Sequence, residues 1–241
     1  MSGHSHWHNI QLKKGKADAR RAGAFSKLVK NITVAAREGG DVAFNFKLRM
    51  AVDAAKGMSV PKENIDRAIA RGSGNGEDGV IEEVVYEGFA PGGVAMLVVC
   101  LTDNRNRSVA EVKTAATKNG GVIGVSGSVM WMFEKKGIVR SSTADEMALI
   151  DAGAEDIVKV DPSFAPTGAS EDRRDVYYEI VCEVKDLQKV AAAAGKIEGA
   201  QIAYIAKTTT DVDESKRAEL EAFLEIMEDL DDVDSVYTNE A

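Results

Sequence analysis

Residues 80–102 read VIEEVVYEGFAPGGVAMLVVCLT, and this stretch decides the fold. Two runs rich in β-branched and aromatic residues flank Pro91-Gly92-Gly93, a turn signal, so the segment predicts a β-hairpin. Before it the apolar residues recur with helical spacing; after it strands and helices alternate. The hairpin therefore marks the passage from an all-helical part to an α+β part. Residues 94–101 are also the longest uninterrupted apolar run, far short of the roughly 18 residues that a membrane helix needs.

Working back toward the N-terminus, GSGNGEDG at residues 72–79 reads as a linker. It contains Gly74-x-Gly76-x-x-Gly79, the spacing of a dinucleotide-binding turn. Here it follows a helix and precedes a strand, the reverse of what a phosphate-cradling turn requires. Upstream, KKGKADARRAG is rich in helix formers, and Phe25, Leu28, Val29, Ile32 and Ala36 form one apolar stripe that stops at Gly39-Gly40. A second helix is expected after Asp41 as N-cap, ending at Gly57. A third has Pro61 in its first turn and stops at Gly72.

Downstream of the hairpin, NRNRSVAEVKTAATKNGG reads as a helix and SVMWMFEKKG as a strand that is apolar on both faces. Residues 137–207 then alternate as a βαββαβ unit. Its strands are GIVRSS, EDIVKV, VYYEIVCEV and AQIAYIAKT, and its helices ADEMALIDAG and DLQKVAAAAG, the ferredoxin-like order. The loop DPSFAPTGASEDRR between its middle strands is long and expected to be mobile. A last helix, ESKRAELEAFLEIMEDL, and a strand, VDSVYT, complete the two-layer sandwich begun at residue 80. The expected class is α+β: an N-terminal three-helix domain followed by two α/β-sandwich (ferredoxin-like) domains, one inserted in the other. The expected boundaries are 1–79, 80–135 plus 208–241, and 136–207 for the insertion.

Charge divides the chain differently from what its net of −9 suggests. Residues 1–37 hold eight Lys/Arg and one acid, whereas residues 211–241 hold two bases and twelve acids. A basic N-terminal part on an acidic body points to one polyanion-binding face, with the rest kept off the polyanion or turned toward a protein. Cys100 and Cys182 each sit in an apolar strand-like run, as buried reduced thiols do, which suits a reducing cytoplasm. The polar, basic N-terminus shows no secretory h-region, and no membrane association is expected.

The strongest candidate constellation is the N-terminal arm and its basic helix. Lys13, Lys16, Arg20 and Lys27 fall near one helical face, with Lys14, Arg21 and Lys30 beside it. Such a row neutralises several phosphates and gives salt-sensitive affinity. Trp7 adds a stacking plane suited to RNA or an unpaired base, and His4 a hydrogen-bonding group. The alternative is a solvated lysine-rich surface helix. His4, His6 and His8 alternate, so an extended arm would align them as a chelate for a borderline metal. With no carboxylate or thiolate nearby, no metal or other cofactor is expected.

Arg105 and Arg107 stand at a predicted helix N-terminus, where the macrodipole disfavours cations and an anionic partner is required. The candidates are a carboxylate of the acidic C-terminal helix, Glu221, Glu225 or Asp229, or a phosphate oxygen. The Gly121-x-x-Gly124 and Gly124-x-x-Gly127 spacings resemble a nucleotide-clamping loop, but a strand follows where that loop needs a helix. With no histidine beyond residue 8, no Walker A run and no HExxH, catalysis is not expected.

Several motifs together resemble the YebC/PmpR family, whose mitochondrial relative is the translational activator of cytochrome c oxidase. They are GHSHWHNI, KADARRAGAFSKL, TVAAREGG, LRMAVDAAKGMSVPKENIDRAIARG, YEGFAPGGVA, LTDNRNRSVAEV, GGVIGVSGSVMWMF and GAEDI, in order from residue 3 to about 157. The resemblance implies three domains and a cytoplasmic, DNA-binding transcriptional regulator. A second view of the family is a ribosome-associated translation factor, meeting rRNA or tRNA, that eases elongation at consecutive prolines. The chain departs from the family pattern at His6, where lysine is typical, and at His8, Gln11 and Leu12. The loop at 161–174 is longer than the family pattern. Oligomeric state, target genes and sequence preference are not written in these motifs.

Overall fold

A computed structural model describes residues 17–75, 80–160 and 177–241. The chain divides into two compact units. The described part of the first comprises residues 17–75, 80–133 and 206–241, and that of the second residues 134–160 and 177–205. The loop DPSFAPTGASEDRR, and Gly76 and Gly79 of the glycine fingerprint, lie outside the described residues.

The first unit opens with helix α1 (Ala17–Ala35), followed by α2 (Phe46–Gly57) and α3 (Lys62–Ala70). The stripe read from the sequence is the one that packs: Ile32 and Ala36 are fully buried, with Phe25, Leu28 and Val29 against them. Leu48, Val52 and Ala55 of α2 and Ile65 and Ala68 of α3 supply the other walls of this core. Asp41 does not cap α2. Its carboxylate instead accepts from the Ala43 amide, and Asn45 takes the N-cap, accepting from the Leu48 amide at 3.0 Å. The physical reason is that Asn45 does two jobs at once. Its side-chain amide also donates to the carbonyls of Ala35 (2.7 Å) and Gly39 (2.8 Å), closing the orphan carbonyls at the end of α1. Gly72 permits α3 to close on α1: a Cβ there would stand 2.2 Å from the Thr33 carbonyl oxygen.

Strands β1 (Glu82–Phe89) and β2 (Ala95–Thr102) form the expected hairpin, in register from Glu82↔Thr102 to Phe89↔Ala95. Its turn places Gly92 and Gly93 at φ of 84° and 79°, conformations open to glycine. After α4 (Arg105–Lys118), the two-residue strand β3 (Val122–Ile123) pairs with β1. Near the C-terminus α7 (Glu214–Glu228) precedes β8 (Val233–Thr238), which pairs with β2. The sheet order is β3-β1-β2-β8, all antiparallel. Helices α4 and α7 cover one face, with Val112, Ala116, Leu220, Phe223, Leu224 and Met227 on Met96, Val98 and Cys100. Gly121 makes the close approach possible, since a Cβ there would meet the Phe223 ring at 2.6 Å. Every residue of β2 is buried, and α1 packs against it.

The second unit follows the expected βαββαβ sequence. Its elements are β4 (Phe133–Ser141, beginning one residue earlier, in the first unit), α5 (Glu146–Ala152), β5 (Ala154–Val160), β6 (Tyr177–Glu183), α6 (Leu187–Ala193) and β7 (Ile197–Ala206). The order β5-β6-β4-β7 is the ferredoxin-like one. Leu149, Leu187 and Val190 of its helices are buried with Val139, Ile180 and Cys182 of its strands. The separate strands expected at SVMWMFEKKG and GIVRSS are one strand, β4, preceded by a 3-10 turn at Met130–Met132. Residues before Phe133 cannot join a ladder, because the Gly127, Val129 and Met130 amides donate to the Glu87 carboxylate.

Candidate nucleic-acid interface

His4, Trp7, Lys13, Lys14 and Lys16 lie outside the described residues. Arg20 and Arg21 belong to the first turns of α1. The remaining four expected residues, Lys27, Lys30, Arg105 and Arg107, are all engaged within the chain.

Helix α1 lays its basic side on the segment that joins α7 to β8. The Lys27 ammonium donates to the Glu228 carbonyl. Lys30 donates to the Asp231 carbonyl at 2.9 Å and to Asp232 Oδ1 at 2.8 Å. One residue further on, the Asn31 side-chain amide donates to Asp234 Oδ1 at 2.5 Å. Burial pulls the Lys27 pKa below its ordinary value against the attraction of Asp234 and Glu228. Burial likewise pushes the Asp234 carboxyl up, against the Asn31 bond and the Lys27 charge.

Asp232 is the centre of this region, with its side chain only 5% exposed. Thr102 Oγ1 donates to it at 3.0 Å and the Arg107 guanidinium at 2.9 Å, besides Lys30. Burial acts to raise its pKa, but the Lys30, Arg107 and Thr102 bonds hold the carboxyl below the usual range. Arg107 reaches it from the first turn of α4, whose N-cap is Asn104, accepting from the Arg107 amide at 3.1 Å. Arg107 also pairs with Asp103 at 3.1 Å, and Arg105 forms a forked pair with Glu82 of β1.

The arginines thus have carboxylate partners, but not the ones expected on the C-terminal helix. Glu221, Glu225 and Asp229 bond neither arginine; the partners are Glu82, Asp103 and Asp232. The chain reverses after α7, and Asp232 enters at the bulge where Val233 pairs with Cys100, beside the start of α4. Sequence spacing carries no record of that approach.

A second feature escaped the sequence reading. Glu87, 5% exposed, accepts from the amides of Gly127 (2.6 Å), Val129 (2.9 Å) and Met130 (2.7 Å). The Gly124 amide donates to the Glu87 carbonyl at 2.8 Å. Burial acts to raise the Glu87 pKa, but the three amide bonds and a bond from the Ser126 hydroxyl hold it low. The GGVIGVSGS segment is therefore a clamped loop rather than a phosphate cradle. It presents Val125 (78% exposed) and Trp131 (67% exposed), whose indole N–H donates to the Ser128 carbonyl. As one of three glutamates in β1, Glu87 gave no signal of this clamp.

Burial pushes the Cys100 and Cys182 thiols up to about 11, far from the thiolate that nucleophilic work needs. Among the described residues no group of three His, Cys, Asp or Glu is placed to hold a metal ion, and no helix is long and apolar enough to cross a membrane.

A three-helix part, a sheet covered by α4 and α7, and an inserted ferredoxin-like sheet define an α+β protein whose basic helix rests on its own acidic C-terminal segment. Residues 5–75 match the pattern described as the TACO1/YebC protein N-terminal domain, and residues 81–240 match the TACO1/YebC second and third domain. The chain belongs to the YebC/PmpR family, which those domains define. It is 45% identical to a "Probable transcriptional regulatory protein" of Persephonella marina, over 99% of this chain and 95% of that one. A Roseiflexus castenholzii protein of the same name is 44% identical, over 99% and 94%. Among solved structures, a conserved hypothetical protein of Aquifex aeolicus superposes with a TM-score of 0.81 at 39% identity, covering 98% of this chain and 97% of that one.

Proposed function

We propose that this protein is a cytoplasmic nucleic-acid-binding regulator of gene expression, a transcriptional regulator as its relatives are named, and one that binds DNA. The carrying observation is the charge distribution: eight bases against one acid in residues 1–37, on a chain whose net charge is −9. Its contact surface is the N-terminal arm with the start of α1: His4, Trp7, Lys13, Lys14, Lys16, Arg20 and Arg21. Arg105, paired with Glu82 but with its side chain 63% exposed, is a further contact that shares that partner. Lys27, Lys30 and Arg107 join it only by exchanging their present partners. The working parts are residues 1–79 as the binding domain, 80–135 with 208–241 as its platform, and 136–207 as the insertion. The activity is binding rather than catalysis.

A second reading is favoured by the acid excess of the remainder: 33 acids against 16 bases after residue 71 repel a long duplex. In it the protein acts on the ribosome, with the arm on rRNA or tRNA and the acidic part toward ribosomal proteins. Sedimentation of lysate through sucrose, with retention of promoter fragments by purified protein, separates the two. Specific retention at physiological salt with the protein at the top of the gradient supports transcription. Salt-sensitive co-migration with ribosomes supports translation. Neither retention nor co-migration at low salt overturns both.

A further inference from the structure

We propose that the acidic turn of residues 228–234 is an intramolecular competitor for nucleic acid, occupying Lys27 and Lys30 with carbonyl and carboxylate oxygens. The inference rests on the nucleic-acid reading above and adds to it a built-in restraint on affinity.

Four oxygens of this seven-residue segment face three successive donors of α1. They are the Glu228 and Asp231 carbonyls and the Asp232 and Asp234 carboxylates, bonded by Lys27, Lys30 and Asn31. The lysines stand one helical turn apart, on the helix whose start carries Arg20 and Arg21. The arrangement is poorly suited to stability alone. Burial works against the charged forms of both Lys27 and Asp234, and the bond that Lys27 makes to Glu228 is to its backbone carbonyl. Exchange also leaves the sandwich intact, because Asp232 keeps Arg107 and Thr102 when Lys30 departs. The exchange needs only the long lysine side chains to swing, while α1 stays packed on β2. Two cations are thereby withheld until a phosphate backbone, already held by the arm, competes for them.

The test measures binding of a fluorescein-labelled 20-nucleotide single-stranded RNA and of a 20-base-pair duplex, each titrated from 50 to 300 mM KCl. The proteins are the full-length wild type and the variants Asp234→Asn, Lys27→Gln and the double variant. Asp234→Asn is expected to tighten binding by roughly three- to tenfold and to steepen the salt dependence by about one counterion, as one more lysine meets phosphate. Lys27→Gln alone is expected to change affinity less than about twofold, yet to erase the gain in the double variant. Glu228→Gln, which removes another charge attracting Lys27, serves as a second tightening variant if Asp234→Asn does not fold. Wild-type binding with no gain in either acidic variant overturns the competitor while leaving the nucleic-acid reading standing. Failure of every protein to bind either probe at 50 mM overturns both.

Discussion

Asp232→Ala is expected to lower the stability of the first unit by about 2–3 kcal/mol, the cost of removing a buried acceptor shared by Thr102 and two cations that keep access to water. The alanine would leave Lys30, Arg107 and Thr102 facing the space of a carboxylate that is 5% exposed. Asp232→Asn keeps an acceptor but not the charge, and is expected to cost about 2 kcal/mol. Urea unfolding, with hydrogen exchange of the β2 amides as the local probe, measures both. A loss below about 1 kcal/mol for the alanine variant would show that water compensates the cluster and that Asp232 does not hold it.

Glu87→Ala is expected to cost about 3 kcal/mol, since three amide donors lose one shared acceptor and the loop allows water to reach part of the gap. Hydrogen exchange at Gly127, Val129 and Met130 should quicken by about two orders of magnitude, while amides of the second unit keep their rates. The pH dependence has a fixed sign. Glu87 and Asp232 have folded pKa values below their ordinary ones, so the stability they give is present above the ordinary carboxylate range. It is lost as pH falls through the folded values. Asp234 is shifted upward and acts the other way: its ionisation weakens the fold as pH rises through its ordinary value toward its folded one. Acid should therefore loosen residues 124–131 in the wild type but add little in Glu87→Ala. Equal acid sensitivity of that loop in both proteins would sink the assignment.

The elements that could be read in advance are those whose pattern is local. The stripe Phe25, Leu28, Val29, Ile32 and Ala36 buries one face of a helix, and the runs beside Pro91-Gly92-Gly93 pair as the expected hairpin. The βαββαβ order followed from alternating periods, and the sheet shows it. What could not be read depends on residues that are distant in the chain. Asn45 outcompetes Asp41 as a cap only because the end of α1 offers it two carbonyls. The break before Phe133 exists because Glu87, some 40 residues earlier, takes the amides a strand would use. Arg107 finds Asp232 through a strand pairing, not through helix spacing. In the candidate interface the charge asymmetry was legible, but the division of labour within it was not. Lys27 and Lys30 read in sequence as two more bases of the helix, and it is the approach of the C-terminal segment that engages them.

Binding of nucleic acid by charge is the role proposed for the N-terminal arm and the start of α1. It is tested most directly by comparing the salt dependence of RNA and duplex binding in the wild type and in one variant. That variant carries Lys13→Gln, Lys14→Gln, Lys16→Gln, Arg20→Gln and Arg21→Gln together. Loss of the five charges should weaken binding by at least about 100-fold near 100 mM salt and flatten the log–log slope by about three to four. An unchanged slope and affinity in a folded variant would contradict the account.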